Sequence, residues 1–463
     1  MESALLLASG LLLIGVFLRV VFKPLQVLYI PAAIVGGMLG LIAGPHVLEW
    51  IPKDMVANLK PWPGWLISIV FAGLLLDRPP KSIGDSFKGA ARAGLMVYII
   101  ILGQIALGLL ATWLIIQPFY PVPNYFGQLI ETGFAGGHGT AAAMGRVFKS
   151  LDYEEGADLA YFMATAGLIY SVISGMVYVN LAVRRGWTRA GDVELPTFTG
   201  LEARENPQPV AFGKIRSEVV DPFVFQVLLL GLAFGLGKLM QWGVHSHLLP
   251  WIQGLITEGA KTAEGEISNN IVKYGGNIPL FIYTLLGGLI VREVMGFFKA
   301  DDLIDGESIK RISAFAMEFL IVAAMTALNL HAVIKLFVPL SILLLIGFAW
   351  TGICLLVIGR RLLPKNYWFE LGVINYGMST GTTAQGLMLL RIIDKDLDSG
   401  AAEDYALAAP LSAPFIGGGI VTLSLPYLLM KFHIAPVAFG CLAAMAVLYV
   451  IGRRMAANER KID

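Results

Sequence analysis

The sequence predicts an all-α integral membrane protein with about 11 transmembrane helices, arranged as two inverted five-helix repeats, each with a re-entrant hairpin, plus one extra C-terminal helix. Three observations carry this. Of 463 residues, 56% are hydrophobic and only 14% charged, where an ordinary soluble domain has about 25% charged residues. Apolar runs long enough to cross a bilayer recur from end to end, with a mean hydropathy of +0.71. Finally, two pairs of stretches in the two halves echo each other.

The first run, "ALLLASGLLLIGVFLRVVF", lacks a basic leading region and is too long for the apolar part of a signal peptide, so it reads as the first span. The remaining apolar runs place spans near residues 27–48, 62–77, 93–117 and 157–183, after a first at 3–22. Further spans fall near 221–242, 277–298, 312–331, 335–359, 403–430 and 434–452. Basic residues then set orientation, because short cytoplasmic loops carry the excess of Lys and Arg. With the N-terminus outside, Arg19 and Lys23, the Arg78–Arg92 loop, "RRGWTR" from Arg184, Arg292, Lys310 and Arg311, "GRRLLPK" from Gly359, and the tail from Arg453 all lie inside. Residues 118–145 contain no Lys or Arg, as an outer loop requires. The C-terminus is then cytoplasmic.

The polar stretch around "ENPQP" divides the chain into an N-terminal membrane repeat (1–185), a cytoplasmic linker (186–218), a C-terminal inverted repeat (219–431) and an extra helix with its tail (432–463). "YIPAAIVGGMLG" from Tyr29 is echoed by "NIPLFIYTLLGGLI" from Asn277. "GHGTAAAMGRVFKSLDYEEGADLAYFMA" from Gly137 is echoed by "STGTTAQGLMLLRIIDKDLDSGAAEDYALA" from Ser379. An odd number of spans per half inserts the second copy upside down, and inverted-topology repeats characterise secondary transporters.

Residues 124–147 and 366–392 each leave and return on one side of the membrane. Both are too apolar for exposed loops, and glycine inside a helix costs about 1 kcal/mol against alanine, so they read as two re-entrant hairpins. Broken backbone is tolerated at membrane depth only where protein or a water-filled cavity satisfies it. At each tip, glycines let a substrate approach the backbone, and the freed N–H groups of a half-helix suit a carboxylate. The first tip offers Gly136, Gly137, His138, Gly139 and Thr140 to a substrate; the second offers Ser379, Thr380, Gly381, Thr382 and Gln385. Oxygen donors for a hard cation are Thr132, Asn375, Thr382 and Thr383, together with Glu318 and Asn329 in a span. The bland alternative is that these small residues only pack two hairpins closely.

The stretch "GFAGGHGTAAAMG", from Gly133 to Gly145, closely resembles the first re-entrant motif of the bacterial sodium/glutamate symporter family, and the overall plan is similar over roughly residues 1–430. The resemblance implies Na⁺-coupled uptake of L-glutamate across the bacterial cytoplasmic (inner) membrane, with Na⁺ as coupling ion and no other cofactor. It also implies no covalent chemistry and a homodimer whose transport unit moves against a fixed scaffold. The second loop departs from the family's G-x-G-A-T-P and reads "GMSTGTTAQG" from Gly377. Another anionic solute, such as aspartate or a dicarboxylate, driven by Na⁺ or H⁺, is therefore the alternative, and a channel is a weaker one.

Enzymes and pumps find little support: there is no Walker A stretch, no H-E-x-x-H and no G-x-S-x-G. Cys354 and Cys441 both sit in apolar runs, and a net charge of +1 suggests no nucleic-acid partner. The remaining partner is the lipid bilayer. Arg146 and Arg391 follow the two tips; they read as pairing with the acidic runs after them, Asp152–Glu155 and Asp394–Asp398, or alternatively with a substrate carboxylate. His138 offers hydrogen bonding or proton transfer.

Overall fold

The computed structural model describes residues 2–27, 30–76, 87–188, 220–251, 280–394, 399–412 and 417–459. Among these residues there is helix and no strand. Among the described residues, eight helices are long and apolar enough to cross a membrane: Glu2–Val21, Lys53–Leu76, Ala90–Ile116, Gly156–Arg184, Pro222–Trp251, Leu280–Phe297, Phe337–Leu362 and Ile434–Ala457. This is a multi-pass membrane protein. The expected linker lies almost wholly outside the described residues.

In the first half the main elements are α1 (Glu2–Val21), α2 (Ala32–Ala43), α3 (Trp62–Leu76), α4 (Phe87–Ala111), the short α5 (Leu129–Gly133), α6 (Gly137–Ser150) and α7 (Gly156–Arg184). The second half contains α8 (Pro222–Gly243), α9 (Leu280–Phe297), α10 (Gly306–Thr326), α11 (Phe337–Ile353), α12 (Trp368–Thr380), α13 (Thr383–Ile393), α14 (Ala401–Ser412) and α15 (Ile420–Lys431). A last helix, α16 (Ile434–Glu459), packs along α4.

Local chemistry explains several boundaries. Asp221 caps α8 by accepting from the amides of Phe223 and Val224, with Pro222 in the first turn, where its missing N–H costs nothing. Asp305 caps α10 through Ser308 N. α4 and α11, each the fourth helix named in its half, both run on into π-type turns, at Thr112–Ile116 and Cys354–Gly359.

The expected spans need correction in four places. α2 has only 12 residues between Pro31 and Gly44; at about 1.5 Å per residue it falls short of a bilayer core. α3 extends the helix Lys53–Leu59 across Lys60 and Pro61, which gives a span of 24 residues instead of the short one expected. α10 ends at Thr326, so Asn329 does not continue the helix that carries Glu318. The expected span 403–430 is two helices, α14 and α15, with Gly417 and Gly418 at positive φ just before the second.

The two Gly-Gly pairs that echo in sequence do the same work in space. A Cβ on Gly36 would run into the Leu11 carbonyl of α1, and one on Gly37 into Met325 of α10. A Cβ on Gly287 would run into the Ala233 carbonyl of α8, and one on Gly288 into the Ala72 carbonyl of α3. Each second helix therefore lies backbone-close to the first helix of its own half and to the third helix of the other. Small residues permit that approach where lipid offers no hydrophobic drive between helices.

Candidate functional site

Both Gly-Thr stretches are broken helices. The first breaks between α5 and α6, over Phe134, Ala135 and Gly136, and Gly137 opens α6 at φ +63, a left-handed conformation that L side chains rarely adopt. The second breaks at Gly381 and Thr382, where Thr382 caps α13 by accepting from Gln385 N at 3.2 Å.

The two breaks meet. A Cβ built on Gly137 would stand 3.1 Å from the Gly381 carbonyl oxygen. Between them passes the middle of α7: a Cβ on Gly167 would lie 2.6 Å from the Thr380 carbonyl and 2.8 Å from the Phe134 ring. Gln385 Nε2 donates to the Leu168 carbonyl one residue on, at 3.2 Å. Tip 1 is tied in turn to the start of α15, because Thr140 Oγ1 donates to Gly417 O at 3.0 Å.

The remaining expected residues fall into three groups. Asn375, Gln385 and Thr132 are buried and lie on the hairpin arms; both polar atoms of Asn375, the Gln385 Oε1 and the Thr132 Oγ1 have no hydrogen-bond partner among the described residues. Buried polar atoms are nearly always partnered, so such a group is informative at a broken helix. Ser379, Thr380, Thr383 and His138 are already engaged. Ser379 and Thr380 hydroxyls donate back to the Tyr376 carbonyl, at 3.2 and 2.6 Å; Thr383 pairs with Tyr405; His138 Nε2 sits 3.0 Å from Thr165 Oγ1. Gly139 faces Ile67 and Met317, on α3 and α10, and makes room for packing.

Glu318 and Asn329 are placed elsewhere. The Glu318 carboxylate lies at the Ala33 amide with Arg19 nearby, at the start of α2. Asn329 caps the short helix Leu330–Lys335 through His331 N at 3.2 Å, and its own amide donates to Asp158 at 3.0 Å. Neither joins the tips. Arg146 donates to the Gly64 carbonyl at 3.1 Å, and the acidic run after it forms no ion pair with it. Instead Lys60, Arg146, Lys149, Glu154, Asp158 and Tyr161 line a cleft of about 440 Å³ beside α6, and Tyr161 stacks on His138 with ring centroids 6.5 Å apart.

The structure adds one residue that the sequence reading passed over. Glu131, in α5, is fully buried and accepts from Thr422 Oγ1 at 2.7 Å and Gly417 N at 3.1 Å. The rule that singled out Glu318, an ionisable group inside an apolar segment, applies equally to "QLIETGF".

Residues 260–395, which run through α9 to the end of tip 2, match the family model described as sodium/glutamate symporter. No match to the chain was found among curated proteins. The symporter match covers the second hairpin, whereas the motif that carried the resemblance lies in the first; two separate parts of the sequence thus point to one family. The departure at Gly377–Gly386 lies inside the matched segment. The match supports, in broad class, a transporter of the Na⁺-coupled glutamate type.

Proposed function

We propose that this protein is a Na⁺-coupled symporter that takes up L-glutamate by alternating access, with substrate and Na⁺ bound between the two helix breaks. The observation that carries the reading is the apposition of Gly137 and Gly381, one from each half, beside buried polar atoms that lack partners. The glutamate carboxylate is received by the freed amides of the first turn of α6, from Gly137 on, where the helix dipole favours negative charge; the Gly136 amide is already spent on the Glu131 carbonyl at 2.9 Å, and Gly136 serves as the close-approach glycine before it. Gly381 supplies the opposite wall, and Gln385 and Asn375 supply neutral hydrogen-bonding groups. His138, Gly139 and Thr140 brace the tip against α7, α3 and the start of α15. Na⁺ takes oxygens of tip 2, Asn375 and Thr382 foremost.

The cleft with Lys60, Arg146 and Lys149 is the outer approach in this reading, its three cations drawing in an anionic solute. That side faces out when the basic loops face the cytoplasm, a reading that has the N-terminus outside; the bacterial inner membrane rests on the resemblance. The repeated Gly-Gly packing supports inverted halves, and a homodimer rests on the resemblance. The hydroxyl-rich tip 2 favours one second reading, a different anionic substrate such as aspartate or a dicarboxylate.

The test is uptake of labelled L-glutamate into proteoliposomes under an inward Na⁺ gradient, against matched choline and H⁺ gradients, with aspartate and dicarboxylates as competitors. Na⁺-dependent accumulation is expected. Uptake driven by H⁺ alone would remove Na⁺ coupling, and block by a competitor with no glutamate accumulation would move the substrate.

A further inference from the structure

Three oxygen atoms in five consecutive residues of the first arm have no hydrogen-bond partner among the described residues: Gln128 Oε1, Glu131 Oε2 and Thr132 Oγ1. All three residues are fully buried. Their spacing, i, i+3 and i+4, puts them on one face of the helical stretch that runs from Phe126 through α5.

The other atoms of this group are committed. Gln128 Nε2 donates to the Thr422 carbonyl at 2.6 Å, which settles the amide's orientation and leaves its oxygen free. The Thr422 hydroxyl and the Gly417 amide both donate to Glu131 Oε1. The Gln128 amide also interacts with the Glu131 carboxyl, so the two side chains form one polar group, while Glu131 Oε2 keeps no partner within hydrogen-bond distance among the described residues. No cationic side chain among the described residues pairs with Glu131. A carboxylate buried without a counter-charge is costly by several kcal/mol at least, and an excess of acceptor oxygens with no donor is the pattern that a cation completes. Carboxylate, amide and hydroxyl oxygens are the donor set of a hard, non-redox ion.

We propose that Gln128, Glu131 and Thr132 form a second binding site for a monovalent cation, Na⁺, in the arm of tip 1 and separate from the oxygens of tip 2. Neither Gln128 nor Glu131 belongs to the tip itself. The site's second shell is the start of α15, through Thr422 and Gly417, and Gly417 O also accepts from Thr140 of α6. Binding there ties three elements together: the arm of tip 1, α6 behind the break and the break before α15. Ion occupancy can thereby set the geometry of the α6 amides that receive the substrate. The inference deepens the Na⁺ reading above.

The experiment measures Na⁺ binding to the purified full chain in lipid nanodiscs, by radiolabelled Na⁺ and by Na⁺-dependent thermal stabilisation, with choline at matched ionic strength. Glu131→Gln keeps an acceptor for Gly417 and Thr422 while removing the charge, and Thr132→Val removes an oxygen that holds nothing else. Expected is a fall in Na⁺ affinity of about tenfold or more for Glu131→Gln, as befits a lost charged ligand, with a smaller fall for Thr132→Val and unchanged thermal stability in choline for both. Wild-type Na⁺ affinity in both variants overturns the site and leaves Na⁺ coupling intact. Absence of Na⁺ binding in the wild type itself overturns both. Unchanged Na⁺ affinity, with an infrared carbonyl band of a buried acid that vanishes in Glu131→Gln, assigns a proton there instead and overturns the metal site.

Discussion

Tip 1 and tip 2 are broken helices that meet, yet they are broken by different means. In tip 1 three residues intervene between α5 and α6, the new helix starts on a glycine at φ +63, and a buried carboxylate stands in the arm before the break. In tip 2 only Gly381 and Thr382 intervene, Gly381 keeps a negative φ of −159, the new helix is capped by the Thr382 hydroxyl, and the neighbouring hydroxyls turn back onto their own helix. Tip 1 depends on backbone geometry and a buried carboxyl group. Tip 2 depends on side-chain oxygens and stays neutral. The contrast explains why equivalent substitutions at the two tips should have unequal effects.

The largest inequality is expected at the facing glycines. Gly137→Ala adds a Cβ in a left-handed conformation, worth about 1–2 kcal/mol, and aims it at the Gly381 carbonyl; uptake in proteoliposomes should be abolished and thermal stability lowered. Gly381→Ala meets chiefly the Gln385 side-chain oxygen, which can swing away, so it should retain partial uptake. Equal loss in both variants would show that the tips are not specialised in this way.

Next comes Asn375→Leu. Because both polar atoms of Asn375 are buried and unpartnered, an apolar replacement of similar size should leave the thermal midpoint unchanged or raised, while Na⁺-driven uptake falls steeply. A variant that transports normally would remove Asn375 from the site. Thr382→Val removes the cap of α13 at about 1 kcal/mol and should raise the Na⁺ concentration needed for half-maximal uptake; an unchanged Na⁺ dependence would leave Thr382 with a capping role alone.

The smallest effect is expected from Thr140→Val, which breaks the bond to Gly417 O behind tip 1 and costs about 1 kcal/mol or less of net stability. Uptake should persist at a reduced rate. A loss as complete as that of Gly137→Ala would move Thr140 from bracing the tip into the site itself.

Much of this was legible in one dimension, and for physical reasons. Lipid leaves few options: long apolar runs must be helices, and glycine-rich segments at that depth must be buried breaks. Hence both tips, the echoing Gly-Gly pairs and the resemblance carried by Gly133–Gly145 could be read directly. Glu318 and Asn329 could not be placed, because periodicity along one helix says nothing about which neighbour receives the side chain. Glu318 turned out to serve the start of α2, and Asn329 lay past the end of its helix. Glu131 was overlooked because its importance depends on Thr422 and Gly417, nearly three hundred residues away.

Composition, hydropathy and the repeated small-residue patterns determined by themselves that the chain crosses a membrane many times and where its helices break, since the bilayer punishes every unsatisfied amide locally. Only the tertiary structure decided that the two breaks face each other across Gly167, which hydroxyls are already spent on backbone carbonyls, and which buried oxygens are left over. Those outcomes depend on contacts between distant segments, and no local pattern encodes which donor a given acceptor will find.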